Sequence, residues 1–260
     1  VTSPGVIFRP GVIFRQWTVP LLALFLLLGQ APAMADEFED PWEDFNRKVH
    51  EFNMFVDRIA LRPVTQGYHY VTPRPVRRGV RNVFNNVLEI PSAINGLLQG
   101  KPGTAARDTG RFLVNSTLGL GGLFDVATPM GLEAEGREDF GQTLAVWGFD
   151  SGPYLVLPFW GPSTVRDTMG LPVDWISDPT FHVQHPRTRN VVFAAYVLNR
   201  RSQLMDLEEH LTGDHYSFIR DAYLQNREFL IHDGEVEDTF GSDMSGFDDY
   251  DFDDEDDDVF

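Results

Sequence analysis

Cysteine is absent from the 260 residues of this chain, which excludes disulfides, thiol nucleophiles and thiolate metal sites. Positive charge is scarce: 21 Lys and Arg stand against 39 Asp and Glu, a formal net charge of −18. A general nucleic-acid binder is excluded on that ground, because such proteins neutralise phosphates with a basic surface. Beyond residue 35 no apolar run reaches the roughly 20 residues that cross a bilayer as a helix, so any membrane contact lies in the plane of a leaflet or along a protein-lined edge. Strand-like alternation is weak throughout. The chain also lacks a nucleophile elbow, an HExxH helix, a P-loop and a dinucleotide fingerprint. His182 and His185 sit three apart in a Pro-rich connection with no evident third ligand. No catalytic residue, metal site or cofactor is therefore expected.

The two ends differ from the middle. Arg9 and Arg15 precede an apolar run from Trp17 to Leu28, and Ala33-Met34-Ala35 has the small residues a signal peptidase accepts, so 1–35 reads as a secretory signal. Residues 36–242 read as a single helical domain. From Asp243 the chain is Asp-rich with interleaved Phe and Tyr, and 243–260 reads as a disordered acidic tail. Asp249, Asp251 and Asp253 have calcium-loop spacing, but the loop glycine and the twelfth-position Glu are missing.

Between those ends the periodicity is helical, and the fold class is mainly α. Asp40, Pro41 and Glu43 form a helix start, followed by a stripe of Trp42, Phe45, Val49, Phe52, Val56 and Ile59 that Arg62-Pro63 is expected to end. Such a stripe packs a bundle or lies along a leaflet; spacing alone does not choose. Pro73-Arg74-Pro75 opens a second helix with Val76, Val80, Val83, Phe84 and Val87 inward and Arg74, Arg77, Arg78 and Arg81 on the remaining face. Those arginines are a solvated face or a set of contacts to lipid phosphates, which guanidinium groups bind through two hydrogen bonds at once. Pro91 is expected to restart the chain as a short helix closed by Gly100, with Pro102 opening the next. Ser163 is expected to cap a short helix, 172–187 reads as a connection, and Thr188 to Leu211 reads as the longest helix. Residues 191–198 are apolar all round, which places that helix in a core or against lipid. Asp214 caps a final helix that ends before Gly234.

Two greasy irregular segments stand out. Gly119, Gly121 and Gly122 alternate with Leu120, Leu123 and Phe124, which reads either as a flexible apolar hairpin or as a buried tight turn. Tyr154 to Trp160 is apolar apart from Pro158, and Pro153, Pro162, Gly152 and Gly161 bracket it. Prolines at that density forbid a continuous helix, so the segment is a stiff extended strand or turn. Its backbone must be paired inside protein or line a cavity.

The stretches DPWEDFNRKVHEFN at 40–53, GRFLVNSTLGLGGLFDVAT at 110–128, GPYLVLPFWGPSTVRD at 152–167 and RDAYLQNREFLIHDGE at 220–235 resemble the MlaA (VacJ) family of outer-membrane phospholipid-transport lipoproteins. The chain departs from that family in lacking the cysteine that is typically acylated. The resemblance implies a ring-like bundle of amphipathic helices lying in one membrane leaflet, bound to a trimeric porin. Mislocalised outer-leaflet phospholipid would pass through it to a periplasmic lipid-binding chaperone without covalent chemistry. Candidates for the lipid path are Gly119, Leu120, Gly121, Gly122, Leu123, Phe124, Tyr154, Leu155, Leu157, Phe159 and Trp160. Arg74, Arg77, Arg78 and Arg81 are the candidate head-group contacts. Two other classes stay open: a membrane-surface lipid hydrolase using Ser151 or Ser163, and a soluble periplasmic lipid-binding protein.

Overall fold

The computed structural model describes residues 40–208 and 214–234. The expected signal segment, the acidic tail and the end of the helix expected to reach Leu211 lie outside the described residues. Within them the chain is mainly helical, with one short hairpin of strands.

Helix α1, Glu43–Val56, starts after a turn at Pro41 and Trp42, two residues later than the expected first helical position, and its first turn closes on the Trp42 carbonyl. It does not stop at Arg62-Pro63. A π turn, Asp57–Leu61, carries it directly into α2, Arg62–Val71. Proline ends helices because it lacks an N–H and its ring crowds the carbonyl four residues back. A wide turn just upstream relieves that crowding, and the Arg62 amide bonds the Asp57 carbonyl in the i to i+5 pattern.

Pro91 is overridden as well. Helix α3, Arg74–Leu98, runs 25 residues straight through it and is the longest among the described residues. The expected restart fails because α3 is zipped to α4, Pro102–Thr117, by polar pairs on either side of Pro91. Ser92 donates to Asp108 (2.6 Å), Arg111 pairs with Glu89 (2.9 Å) and Asn86 donates to Ser116 (2.9 Å). Such contacts outweigh the roughly 3 kcal/mol that proline costs in a helix interior. The close of α3 is as expected: Gly100 adopts φ +75°, the Lys101 amide reaches the Gly96 carbonyl (2.8 Å), and Pro102 opens α4.

Helix α5, Phe140–Val146, is capped by Asp139, whose side chain accepts from the Gln142 amide. Strands β1, Tyr154–Leu157, and β2, Gly161–Thr164, then pair antiparallel, with Tyr154 opposite Thr164 and Leu157 opposite Gly161. The cap of α6, Val165–Ser177, is Thr164 and not Ser163. That helix passes through Pro172 and takes in 172–177 of the expected connection, and a 3-10 turn, Pro179–His182, takes in more. Helix α7, Pro186–Glu208, has 23 residues, and α8, His215–Ile231, is capped by Asp214 as expected.

Burial is inverted relative to a water-soluble domain. Among the described residues the buried hydrophobic side chains are only Phe84, Ala105, Ala127, Tyr154, Val156 and Tyr216. Asn46, Thr65, Asn86, Glu89, Ser92, Asn95, Asp108, Arg111, Asn115, Gln142, Thr143 and Arg227 are buried in contrast. Phe45, Phe52, Phe55, Ile59, Val64, Leu97, Leu113, Ile176, Phe193 and Phe229 are exposed. Soluble chains seldom show contiguous apolar surface on this scale, and seldom bury so many polar groups unless those groups bond one another.

Candidate functional site

The β-hairpin is held from below by two asparagines of α1. Asn46 donates to the Tyr154 carbonyl (3.0 Å) and accepts from the Val156 amide (2.9 Å). Asn53, seven residues on, donates to the Leu157 carbonyl (2.9 Å) and accepts from the Phe159 amide (2.8 Å). Neither asparagine stands out in the sequence analysis above. Their i, i+7 spacing on a helix beside a proline-interrupted strand is the signal that was available. Anchored in this way, β1 turns Tyr154 and Val156 into a small core with Tyr216, and leaves Leu155 and Leu157 half-buried. The turn pushes Phe159 (72% exposed, φ +66°) and Trp160 (49% exposed) outward. Phe52 meets Phe159 edge-on at 5.3 Å, and Trp160 lies 5.3 Å from Trp175.

The glycine segment is supported by a different element, α3. Its turn is tight: the Gly121 amide reaches the Ser116 carbonyl (3.0 Å), Gly122 the Asn115 carbonyl (2.8 Å) and Phe124 the Gly119 carbonyl (3.0 Å). A Cβ at Gly119 would lie 2.2 Å from the Phe124 oxygen, and one at Gly122 2.7 Å from Asn86 Cβ. These two glycines are demanded by close approach, and of the two readings, flexible apolar hairpin or buried tight turn, the segment takes the form of a tight, bonded turn. Leu120, Leu123 and Phe124 nonetheless point outward and are exposed. The two greasy segments are thus built on separate supports, α3 for one and α1 with α6 for the other.

A charged network ties together α5, α6 and α8. Arg227 of α8 binds Asp139 and, at 2.8 Å, Asp167, which accepts from the Tyr223 hydroxyl at 2.6 Å. Gly141 and Gly170 let α5 and α6 approach closely enough for this, since a Cβ at Gly170 would stand 2.7 Å from the Gly141 nitrogen. Burial pushes Asp139 up, but the Arg227 guanidinium outweighs it and holds that carboxyl below the usual range. Asp174, which accepts from the Phe140 amide (2.9 Å), is pushed up to about 7, first by burial and then by the Asp139 charge. Burial also raises the Tyr223 phenol, with Asp167 adding to it.

The serines offer little chemistry. Ser163 is buried and bonds Thr168 (2.9 Å) and the Thr164 carbonyl, not a base. A serine–histidine contact does exist, between Ser202 of α7 and His69 of α2. Ser202 lies inside a helix, however, where its own amide is spent on the helix ladder and is not free to hold an oxyanion. No metal-holding cluster of His, Asp or Glu occurs among the described residues, and no described helix is long and apolar enough to cross a membrane.

The expected greasy helix stretch at 191–198 is not central to a core. Val191 is 67% exposed and Phe193 is also exposed. With α2 and α3 this stretch forms an apolar cleft of about 310 Å³ lined by Tyr68, Val80, Val191, Ala194, Ala195 and Leu198. A smaller, polar cavity of about 70 Å³ opens on the same pair α3 and α7, with Arg137, Arg200, Asn85 and Asn199 in its wall. Of the four arginines expected on α3, Arg74 and Arg78 are exposed, whereas Arg77 and Arg81 are half-buried. What this arrangement offers is greasy exposed surface and clefts over a polar interior whose side chains largely bond one another.

Comparison with known proteins gives a consistent result. The model of the MlaA lipoprotein family matches residues 38–230. The chain is 34% identical over 211 residues to the intermembrane phospholipid transport system lipoprotein MlaA of Haemophilus influenzae, covering 77% of this chain and 82% of that one. It is 33% identical over 222 residues to the protein of the same description from Escherichia coli K12, covering 83% and 88%. An uncharacterized protein of Rickettsia felis is 38% identical over 199 residues, with 75% and 79% covered. A solved structure reported as the structural basis for maintenance of bacterial outer membrane lipid asymmetry superposes with a TM-score of 0.65. It is 33% identical and covers 74% of this chain and 99% of that chain.

Proposed function

We infer from the membership of this chain in the MlaA lipoprotein family that it is an outer-membrane component of a phospholipid transport system that maintains lipid asymmetry. The observation that carries the reading is the inverted burial. Apolar side chains of α1, α2, α4 and α7 face outward while polar ones fill the interior, as suits a protein surrounded by acyl chains. Mislocalised outer-leaflet phospholipid passes through it to a periplasmic lipid-binding chaperone, and a trimeric porin is its membrane partner. The chemistry is carriage alone. Each exposed CH2 of a two-tailed lipid costs about 0.8 kcal/mol in water, so a greasy route lowers the barrier without any bond being broken.

Retention at the periplasmic leaflet rests on side chains. The chain has no cysteine to acylate, and the exposed stripe Phe45, Phe52, Phe55 and Ile59 supplies the apolar area. Fractionation tests this. The protein is expected to remain with membranes after a high-salt wash and to carry co-extracted, chemically intact phospholipid. Complete recovery in the soluble periplasm at every salt concentration would replace this reading with that of a soluble carrier, and lysolipid or free fatty acid among the products would replace it with a hydrolase.

A further inference from the structure

On the helices that form the apolar cleft of α2, α3 and α7, two polar atoms are closed off from solvent and lack hydrogen-bond partners: the Tyr68 hydroxyl and Nη1 of Arg77. Tyr68 is itself part of the cleft wall. Arg77 precedes the wall residue Val80 by three positions, which puts both on one face of α3. The guanidinium also lies near enough to Tyr68 to pull its phenol toward ionisation, although burial dominates and raises it. Leaving two donors closed off without acceptors is costly, about 1 to 3 kcal/mol each and more for a charged group. An arrangement of that kind persists where an acceptor arrives from outside.

We propose that this cleft is a phospholipid-holding site in which part of an acyl chain lies against Val80, Val191, Ala194, Ala195 and Leu198 while the phosphodiester is bound by the Tyr68 hydroxyl and the Arg77 guanidinium. The inference rests on the transport reading above and adds the residues that read the phosphate. Its volume, about 310 Å³, is at the small end of the range of roughly 300 to 1,000 Å³ for ligand sites, so it takes a chain segment and not a whole lipid. A phosphodiester fits Arg77 and Tyr68 on charge: a planar guanidinium grips two phosphate oxygens at once, and a phenol adds a third donor. Recognition through the phosphate alone makes the site indifferent to the group esterified beyond it.

The test uses the full chain and the variants Arg77→Gln, Arg77→Lys and Tyr68→Phe, purified in dodecyl maltoside and titrated with vesicles of phosphatidylethanolamine and phosphatidylglycerol. Retained lipid phosphorus per protein and the melting temperature are both measured. Arg77→Gln is expected to weaken retention about tenfold, equivalent to about 1.4 kcal/mol, with Arg77→Lys intermediate because it keeps the charge and loses the fork. Tyr68→Phe separates a ligand contact from a structural one. It removes an orphaned hydroxyl, so the lipid-free protein should melt at the same or a higher temperature while its lipid affinity falls several-fold. Unchanged affinity in both Arg77→Gln and Tyr68→Phe, with a wild-type chain that does carry lipid, would overturn the site and leave the transport reading standing. A wild-type chain that carries none would remove both. Displacement of the lipid by millimolar inorganic phosphate would also overturn the proposal, by showing a free-anion site.

Discussion

Asn46 and Asn53, two turns apart on α1, present their carboxamides to β1 as a neighbouring strand would, each donating to one carbonyl and accepting from the amide two residues further on. A two-stranded hairpin is marginal by itself, and these side chains act as its third strand. Asn46→Ala should therefore be costly. It strands a buried carbonyl and a buried amide, at about 1 to 3 kcal/mol each, whereas Asn53→Ala, nearer the exposed turn, should cost about 1 kcal/mol. Thermal melting in detergent ranks the two; equal small shifts would show that the hairpin stands without α1.

Gly122→Ala and Gly121→Ala make a matched pair. Both positions have positive φ, +88° and +71°, but a Cβ at Gly122 meets Asn86 at 2.7 Å while one at Gly121 meets nothing within 4 Å. Gly121→Ala should cost about 1 to 2 kcal/mol for the left-handed backbone alone. Gly122→Ala should cost clearly more and shift α3 against the turn. Melting curves read the difference, and lipid delivery by folded Gly121→Ala reads whether the turn contributes to transport by moving.

Asp174 makes stability depend on pH. Its pKa is raised to about 7 in the folded chain from an ordinary 3.8, so between those values the folded state holds the extra proton. Its contribution is therefore present in full below about pH 4 and is lost as pH rises through about 7. Asp139, held low by Arg227, acts in the opposite sense and loses its contribution as pH falls. Asp174→Asn, which can still accept from the Phe140 amide, should flatten the fall in melting temperature between pH 5 and 8. A wild-type curve already flat there would show that Asp174 is ionised throughout.

The serines separate carriage from hydrolysis. Ser151→Ala, Ser163→Ala and Ser202→Ala should each leave labelled phospholipid intact, as should the parent chain, because Ser163 bonds no base and Ser202, the one that bonds a histidine, lies inside a helix without free oxyanion donors. Thin-layer separation of the lipid after incubation decides it.

Removal of 243–260 should change the unfolding free energy, read from thermal melts, by no more than about 0.5 kcal/mol, since the matched family region ends at residue 230 and α8 closes at Ile231.

The helical elements were legible wherever periodicity and capping agreed, as at Asp214, Gly100 and Pro102. They were misread where proline was taken as a stop. Pro63 and Pro91 both lie inside continuous helices because a π turn in one case and a ladder of interhelical polar pairs in the other supply what the ring removes, and neither is visible in local sequence. The hairpin at 154–164 was legible as extended and stiff. Its pairing was not, because four-residue strands flanked by Pro153 and holding Pro162 carry no alternation. The apolar stretch at 191–198 was recognised as core or lipid-facing, and exposure of Val191 excludes the first. The cleft it helps to form was invisible, since Tyr68 and Arg77 come from helices whose packing only the tertiary fold sets.

The inverted burial also has a calorimetric meaning. Unfolding a water-soluble chain raises the heat capacity by about 12 to 15 cal/mol/K per residue, because buried apolar area becomes hydrated. Here Phe45, Phe55, Ile59, Phe193 and their like are already outside, and much of what unfolding would uncover is Asn, Thr, Asp and Arg, whose hydration changes the heat capacity in the opposite direction. The stability of this chain in a micelle or bilayer should accordingly vary almost linearly with temperature, with no pronounced maximum near room temperature and little tendency to unfold in the cold.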